Sequence, residues 1–236
     1  NGCAFFNSLK EFDFNFSSLA GDVLIQLVQF LFSFPNLKII SLGTIGNCND
    51  VLLPPLPSNI KKLSLPFKKV FMEDGKTSFY NSENLSNLTH LTVQDSFEIF
   101  PYDLFDLSKL EYLDINNQID CICPLKVDRC CSKLKYLSIQ SRYLVPLLFN
   151  FKNNFPVVET LVISYAKSKY LNSHLGKIIS SKTLKCLEIN YFGNRQLFLN
   201  IGKKITSSIE DLKITYVCSE FLSNLLNVER FPLLKK

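Results

Sequence analysis

Four cysteines, Cys121, Cys123, Cys130 and Cys131, are the densest set of potential metal ligands in the chain. Four thiolates would suit a closed tetrahedral zinc site. The spacing argues against one. A C-x-C pair and two adjacent cysteines stand where paired C-x-x-C knuckles are usual, and adjacent cysteines rarely both reach one ion. No metal is expected. His90 and His174 lie far apart, and neither belongs to a carboxylate–histidine–nucleophile order. The glycines are scattered and form no phosphate-cradling loop. The residues whose spacing does suggest chemistry are tyrosines. Tyr112 and Tyr136 recur 24 residues apart, and Tyr165, Tyr191 and Tyr216 recur at steps of 26 and 25. Such rings offer an apolar body with a polar tip, which is binding chemistry rather than catalysis.

What positions them is a repeat. The segment Leu110-Glu111-Tyr112-Leu113-Asp114-Ile115 reads L-x-x-L-x-L. Apolar residues return in its first, fourth and sixth places at Leu37/Ile40/Leu42, Ile60/Leu63/Leu65, Leu88/Leu91/Val93 and Leu134/Leu137/Ile139. They return again at Val158/Leu161/Ile163, Leu184/Leu187/Ile189 and Ile209/Leu212/Ile214, with an earlier copy at Leu9/Phe12/Phe14. The copies start at 9, 37, 60, 88, 110, 134, 158, 184 and 209, a period of 22 to 28 residues. The alternation within each copy predicts a strand with its fourth and sixth residues inward and its third, fifth and seventh outward. A lone copy has no partner for its inward side, so parallel stacking follows.

A four-residue lead-in precedes each strand, as in Phe34-Pro35-Asn36-Leu37 and Cys131-Ser132-Lys133-Leu134. Proline or serine in its second place is a turn signal, and Cys131 fills a packing place held elsewhere by Phe or Leu. Helical spacing predicts outer helices over 19–31, 144–151, 171–179, 197–205 and 221–228. The prolines of 53–57 and the stretch 68–75 predict irregular loops.

The motif and its period resemble the leucine-rich-repeat superfamily over essentially the whole chain. The ninth-position asparagine usual there is missing; Ser96, Gln118, Arg142, Phe192 and Val217 occupy it. Helical outer segments and lead-ins of the form Phe/Cys-Pro/Ser-x-Leu are more similar to the intracellular subtype, which includes ribonuclease-inhibitor-like and F-box-associated proteins. The resemblance implies an α/β fold: a leucine-rich-repeat solenoid curved as a horseshoe, with a parallel concave sheet and with helices and irregular loops on the convex side. It also implies one domain over residues 1–236, about nine repeats, with further chain expected beyond it because Phe231–Lys236 reads as the opening of another copy.

The expected binding surface is the concave wall. Like positions of successive repeats become neighbours about 4.8 Å apart. Tyr112 beside Tyr136 then forms an aromatic centre, ringed by His90, Gln94, Asp114, Asn116 and Gln140. Tyr165, Tyr191 and Tyr216 form a second column, which either joins the interface or turns inward and caps the core. The same geometry disposes of an enzyme: His90 and Glu188 are separated by four repeats, roughly 19 Å at this spacing. No cofactor is expected.

Composition narrows the partners. The net charge of +5 comes from scattered lysine pairs, not from a dense basic stripe with interleaved aromatics, so nucleic acid is not expected. The longest apolar stretch, 23–34, is interrupted by Gln26 and Gln29 and too short for a bilayer. Eight cysteines without terminal clusters read as free thiols in a reducing compartment, cytoplasmic or nuclear. The expected function is therefore a non-catalytic protein-interaction scaffold. By the resemblance, it is the substrate-recognition arm of an F-box-type ubiquitin-ligase receptor, joined to its adaptor through a domain outside this chain. The alternative is an extracellular or cell-surface recognition domain, to which sequons at Asn15, Asn84 and Asn87 point.

Overall fold

The computed structural model describes residues 8–14, 21–42, 57–65, 87–93, 107–115, 130–140, 151–164, 178, 181–190 and 208–215. They hold strands β1 (Glu11–Phe14), β2 (Ile39–Leu42), β3 (Lys62–Leu65), β4 (His90–Val93), β5 (Tyr112–Ile115), β6 (Tyr136–Gln140), β7 (Thr160–Ser164), β8 (Cys186–Asn190) and β9 (Asp211–Ile214). Two helices accompany them, α1 (Gly21–Phe32) and α2 (Phe151–Asn154). The chain forms two compact units, with β1 to β4 in the first and β5 to β9 in the second.

Within each unit the strands pair in chain order and every pairing is parallel. The register matches the motif place for place. In the first unit Ile40 lies opposite Phe12 and Leu63. In the second, Leu137 lies opposite Leu113 and Leu161. Both units are thus repeat solenoids of parallel strands, one strand per motif. A backbone device fixes the register. The second-place carbonyls of Lys10, Lys38, Lys61, Glu111, Lys135, Glu159 and Lys185 each accept two N–H groups, from the second and third places of the next repeat. Lys10 accepts from Lys38 at 2.8 Å and Ile39 at 3.2 Å, and Lys135 accepts from Glu159 at 2.9 Å and Thr160 at 3.0 Å.

The core is the inward row. First-place Leu37, Ile60, Leu88, Leu110, Leu134, Val158, Leu184 and Ile209 are all buried, as are fourth-place Ile40, Leu63, Leu91, Leu113, Leu137, Leu161 and Leu187. The outermost strands of the set are less protected. Phe14 of β1 is 47% exposed, and Leu212 and Ile214 of β9 are half-buried.

The lead-ins form turns, closed by N–H donation from the fourth residue to the first: Leu37 to Phe34 at 3.3 Å, Ile60 to Pro57 at 3.2 Å, Leu134 to Cys131 at 3.2 Å. Their opening residues Phe34, Cys131 and Phe155 are buried. A side-chain stitch, absent from the motif reading, links successive turns. The Asn59 amide donates to the Leu37 carbonyl at 2.6 Å and reaches that of Pro35 at 3.3 Å. Ser208 donates to Ser181 in the same way at 3.2 Å.

Helix α1 realises the segment expected over 19–31, with Val28 and Leu31 buried and Val23 and Phe30 exposed. It ends where Ser33 and Phe34 donate to the carbonyls of Phe30 and Leu31, both at 3.1 Å, just before Pro35, which disfavours helix in the residue preceding it. Helix α2 begins at Phe151, the last residue of the segment expected over 144–151. Residues 144–150, 171–177, 197–205 and 221–228 lie outside the described residues, as do the loops expected at 53–56 and 68–75.

Replacing a fourth-place leucine leaves a cavity between repeats that neighbours cannot refill. Leu113→Ala is expected to cost about 2–5 kcal/mol, read as a lowered midpoint in chemical denaturation; a loss below about 0.5 kcal/mol would contradict the inward assignment.

Candidate binding surface

The surface of the second unit opposite its core rows is built from third and fifth places. Their order is fixed by the register: Tyr112, Tyr136, Thr160, Cys186, Asp211 in one row and Asp114, Ser138, Val162, Glu188, Lys213 in the other. Tyr112 and Tyr136 are half-buried, and their rings stack with centroids 4.1 Å apart and planes 7° from parallel. Parallel stacking is what in-register rings on adjacent strands must adopt, because the strand spacing leaves room for little else.

The pair is also an electrostatic unit. Burial, then the Asp114 carboxylate, then Tyr136 push the Tyr112 hydroxyl far above the usual phenol range. Burial also raises Tyr136, and Asp114 and Glu188 add to it. The two tyrosines also act on each other, pushing Tyr112 further up and Tyr136 back down. Both rings are therefore neutral at physiological pH.

Ser138, Val162 and Ser164 are buried although they sit in outward places. Outward position therefore does not by itself mean exposure. The same unit carries a polar network. The Asn190 amide donates to Glu188 at 2.9 Å, and the Thr215 hydroxyl bonds the Asn190 side chain. Cys186 donates its thiol proton to Asp211 at 3.7 Å; burial, then the Asp211 carboxylate, raise its pKa and keep it protonated. A protonated thiol is a poor nucleophile. Lys213 lies 3.7 Å from the same carboxylate.

Of the residues expected at the site, Tyr112, Asp114 and Tyr136 are brought together on β5 and β6. Gln140 ends β6. His90 lies on β4 in the first unit, half-buried, with its Nδ1 2.9 Å from the Thr89 hydroxyl. Gln94, Asn116, Tyr165, Tyr191 and Tyr216 lie outside the described residues, as do His174, Cys121 and Cys123. The burial of Ser138, Val162 and Ser164 and the Glu188–Asn190–Thr215 network were not singled out from the sequence. Aligning the seventh places does set Asn190 beside Thr215, which is the signal that could have found the network. Among the described residues no group of three or more His, Cys, Asp or Glu side chains could hold a metal, and no helix is long and apolar enough to cross a membrane.

No family model matches the chain, and no curated protein matches it.

The raised phenol makes a prediction with a definite sign. An unfolded tyrosine ionises near 10.0 while folded Tyr112 keeps its proton. The contribution is intact below that pH and is lost as pH rises toward the folded value, because only the unfolded state then gains by ionising. Above pH 10 the stability of Tyr112→Phe is expected to fall less steeply than that of the parent, in denaturation curves recorded across the alkaline range. Equal slopes would show that Tyr112 ionises as an ordinary surface phenol.

Proposed function

We propose that the chain is a non-catalytic protein-binding solenoid of the leucine-rich-repeat type, with outer helices backing its sheet, and that its contact surface centres on Tyr112 and Tyr136. The observation that carries this reading is the stacked pair itself. Two neutral aromatic rings, stacked in register on adjacent strands, form a pre-ordered platform. Such a platform loses little side-chain freedom on binding, which is why tyrosines serve as interface anchors. The polar groups of Glu188, Asn190 and Thr215 on the same unit supply hydrogen-bonding partners.

The narrower reading is the substrate-recognition arm of an F-box-type ubiquitin-ligase receptor in the cytoplasm or nucleus, with the ligase adaptor held by a domain outside this chain. The lead-in turns and the outer helix α1 support the intracellular subtype. The free thiols of Cys130, Cys131 and Cys186 are of the kind a reducing compartment maintains. Recovery of ubiquitin-ligase adaptor subunits with the full-length protein is the expected outcome of affinity capture and mass spectrometry. Recovery of extracellular ligands, with paired cysteines on thiol titration, would favour the cell-surface alternative.

The binding surface has its own test. With a captured partner in hand, Tyr112→Ala combined with Tyr136→Ala is expected to leave the fold intact and to weaken binding by more than about 2 kcal/mol. A double variant that unfolds, or that folds and keeps every partner at full strength, places the surface elsewhere.

A further inference from the structure

The second places of the motif tell the two units apart. In the second unit they run Glu111, Lys135, Glu159, Lys185, Glu210, alternating in sign along the stack. Neighbours in such a row neutralise one another, and Lys185 meets Glu159 at 3.0 Å. In the first unit the same places hold Lys10, Lys38 and Lys61, three cations in succession, all exposed, and then Thr89. Their backbones are locked in line: the Lys10 carbonyl accepts from Lys38 at 2.8 Å, and the Lys38 carbonyl accepts from Lys61 at 2.8 Å. Lys62, exposed in the next place, adds a fourth cation. Among the described residues none of the four is ion-paired.

Like charges on neighbouring strands are unfavourable, at a spacing of about 4.8 Å. The second unit avoids that repulsion with the same motif, so the geometry of the repeat does not impose it on the first. We propose that Lys10, Lys38, Lys61 and Lys62 form a docking strip for a short acidic segment of a protein partner. Three rows span about 10 Å, enough for two or three carboxylates on an extended or helical segment. Glu11, exposed beside Lys10, offsets the charge at one end and concentrates the positive field on Lys38, Lys61 and Lys62. The chemistry favours a peptide over a nucleic acid on two grounds. The second and third places of β1 to β3 carry no aromatic ring on which a base could stack. All the cations are lysines, point charges without the fork that makes arginine the bidentate phosphate ligand. The strip uses neither tyrosine.

The test uses the full chain and a fluorescent hexaglutamate peptide at low salt, with an oligothymidylate of similar charge as the second probe. Hexaglutamate is expected to bind and to weaken about tenfold when salt is raised to near-physiological strength. Lys38→Gln, Lys61→Gln and Lys62→Gln together are expected to abolish that binding. Lys135→Gln with Lys185→Gln, which removes both cations of the alternating row, should change it less than about twofold, and the triple Lys→Arg variant should retain it. Removing the three cations is also expected to raise the thermal midpoint at low salt, a gain that disappears at high salt. Retained binding in the triple glutamine variant overturns the proposal, as does tighter binding of the oligonucleotide lost by the same substitutions. If the triple variant fails to fold, Lys38→Gln alone decides: unchanged affinity overturns the proposal, and a clear loss supports it.

Discussion

A single repeat of this chain cannot bury its own inward side. First-, fourth- and sixth-place residues such as Leu134, Leu137 and Ile139 leave water only when the strands before and after close over them. Each such side chain gains about 1.5–3 kcal/mol by burial, while an isolated four-residue strand gains nothing. That dependence on neighbours is the constraint from which the rest of the structure follows. It requires parallel stacking, and parallel stacking requires one register, since a slip of one residue would turn every leucine outward. The twofold acceptance at these second-place carbonyls holds that register.

Once the register is fixed, surface chemistry is written in rows rather than in local clusters. Tyr112 meets Tyr136 because both hold the third place of consecutive repeats, although 24 residues separate them. Lysines at 10, 38 and 61 become neighbours for the same reason. Each row can change without touching the core, because inward and outward places alternate along the strand. A solenoid is thereby able to keep one stability rule and vary its binding chemistry from unit to unit. The alternating second-place charges on β5 to β9 and the uniform lysines on β1 to β3 are two settings of one position.

Much of this was legible in the sequence, because period-2 alternation inside a fixed longer period leaves little freedom. The strands fall on the motifs, the first and fourth places from β2 to β8 are buried, and Cys131 packs in its lead-in. Helix α1 was readable from the apolar spacing of Val28 and Leu31. Less readable were features that depend on packing. Ser138 and Val162 occupy outward places and yet are buried, which pattern alone cannot show. The stitch from Asn59 to the turn at Pro35–Leu37 was hidden differently. The asparagine signature sought at the ninth place is absent, while an equivalent backbone-satisfying role is filled from the lead-in. The charge contrast between the units was in plain sight as residues, but it acquired meaning only when the register made the second places adjacent.

The register itself is the claim on which both surfaces depend, and amide-resolved hydrogen exchange tests it most directly. The N–H groups of Lys135 and Tyr136, Glu159 and Thr160, and Lys185 and Cys186 each point, as pairs, to one carbonyl of the preceding repeat. These pairs should exchange slowly and together, at rates that track global unfolding. Fast, independent exchange at these second and third places, with protection elsewhere in the strands, would contradict the stacking from which the tyrosine platform and the lysine strip are both derived.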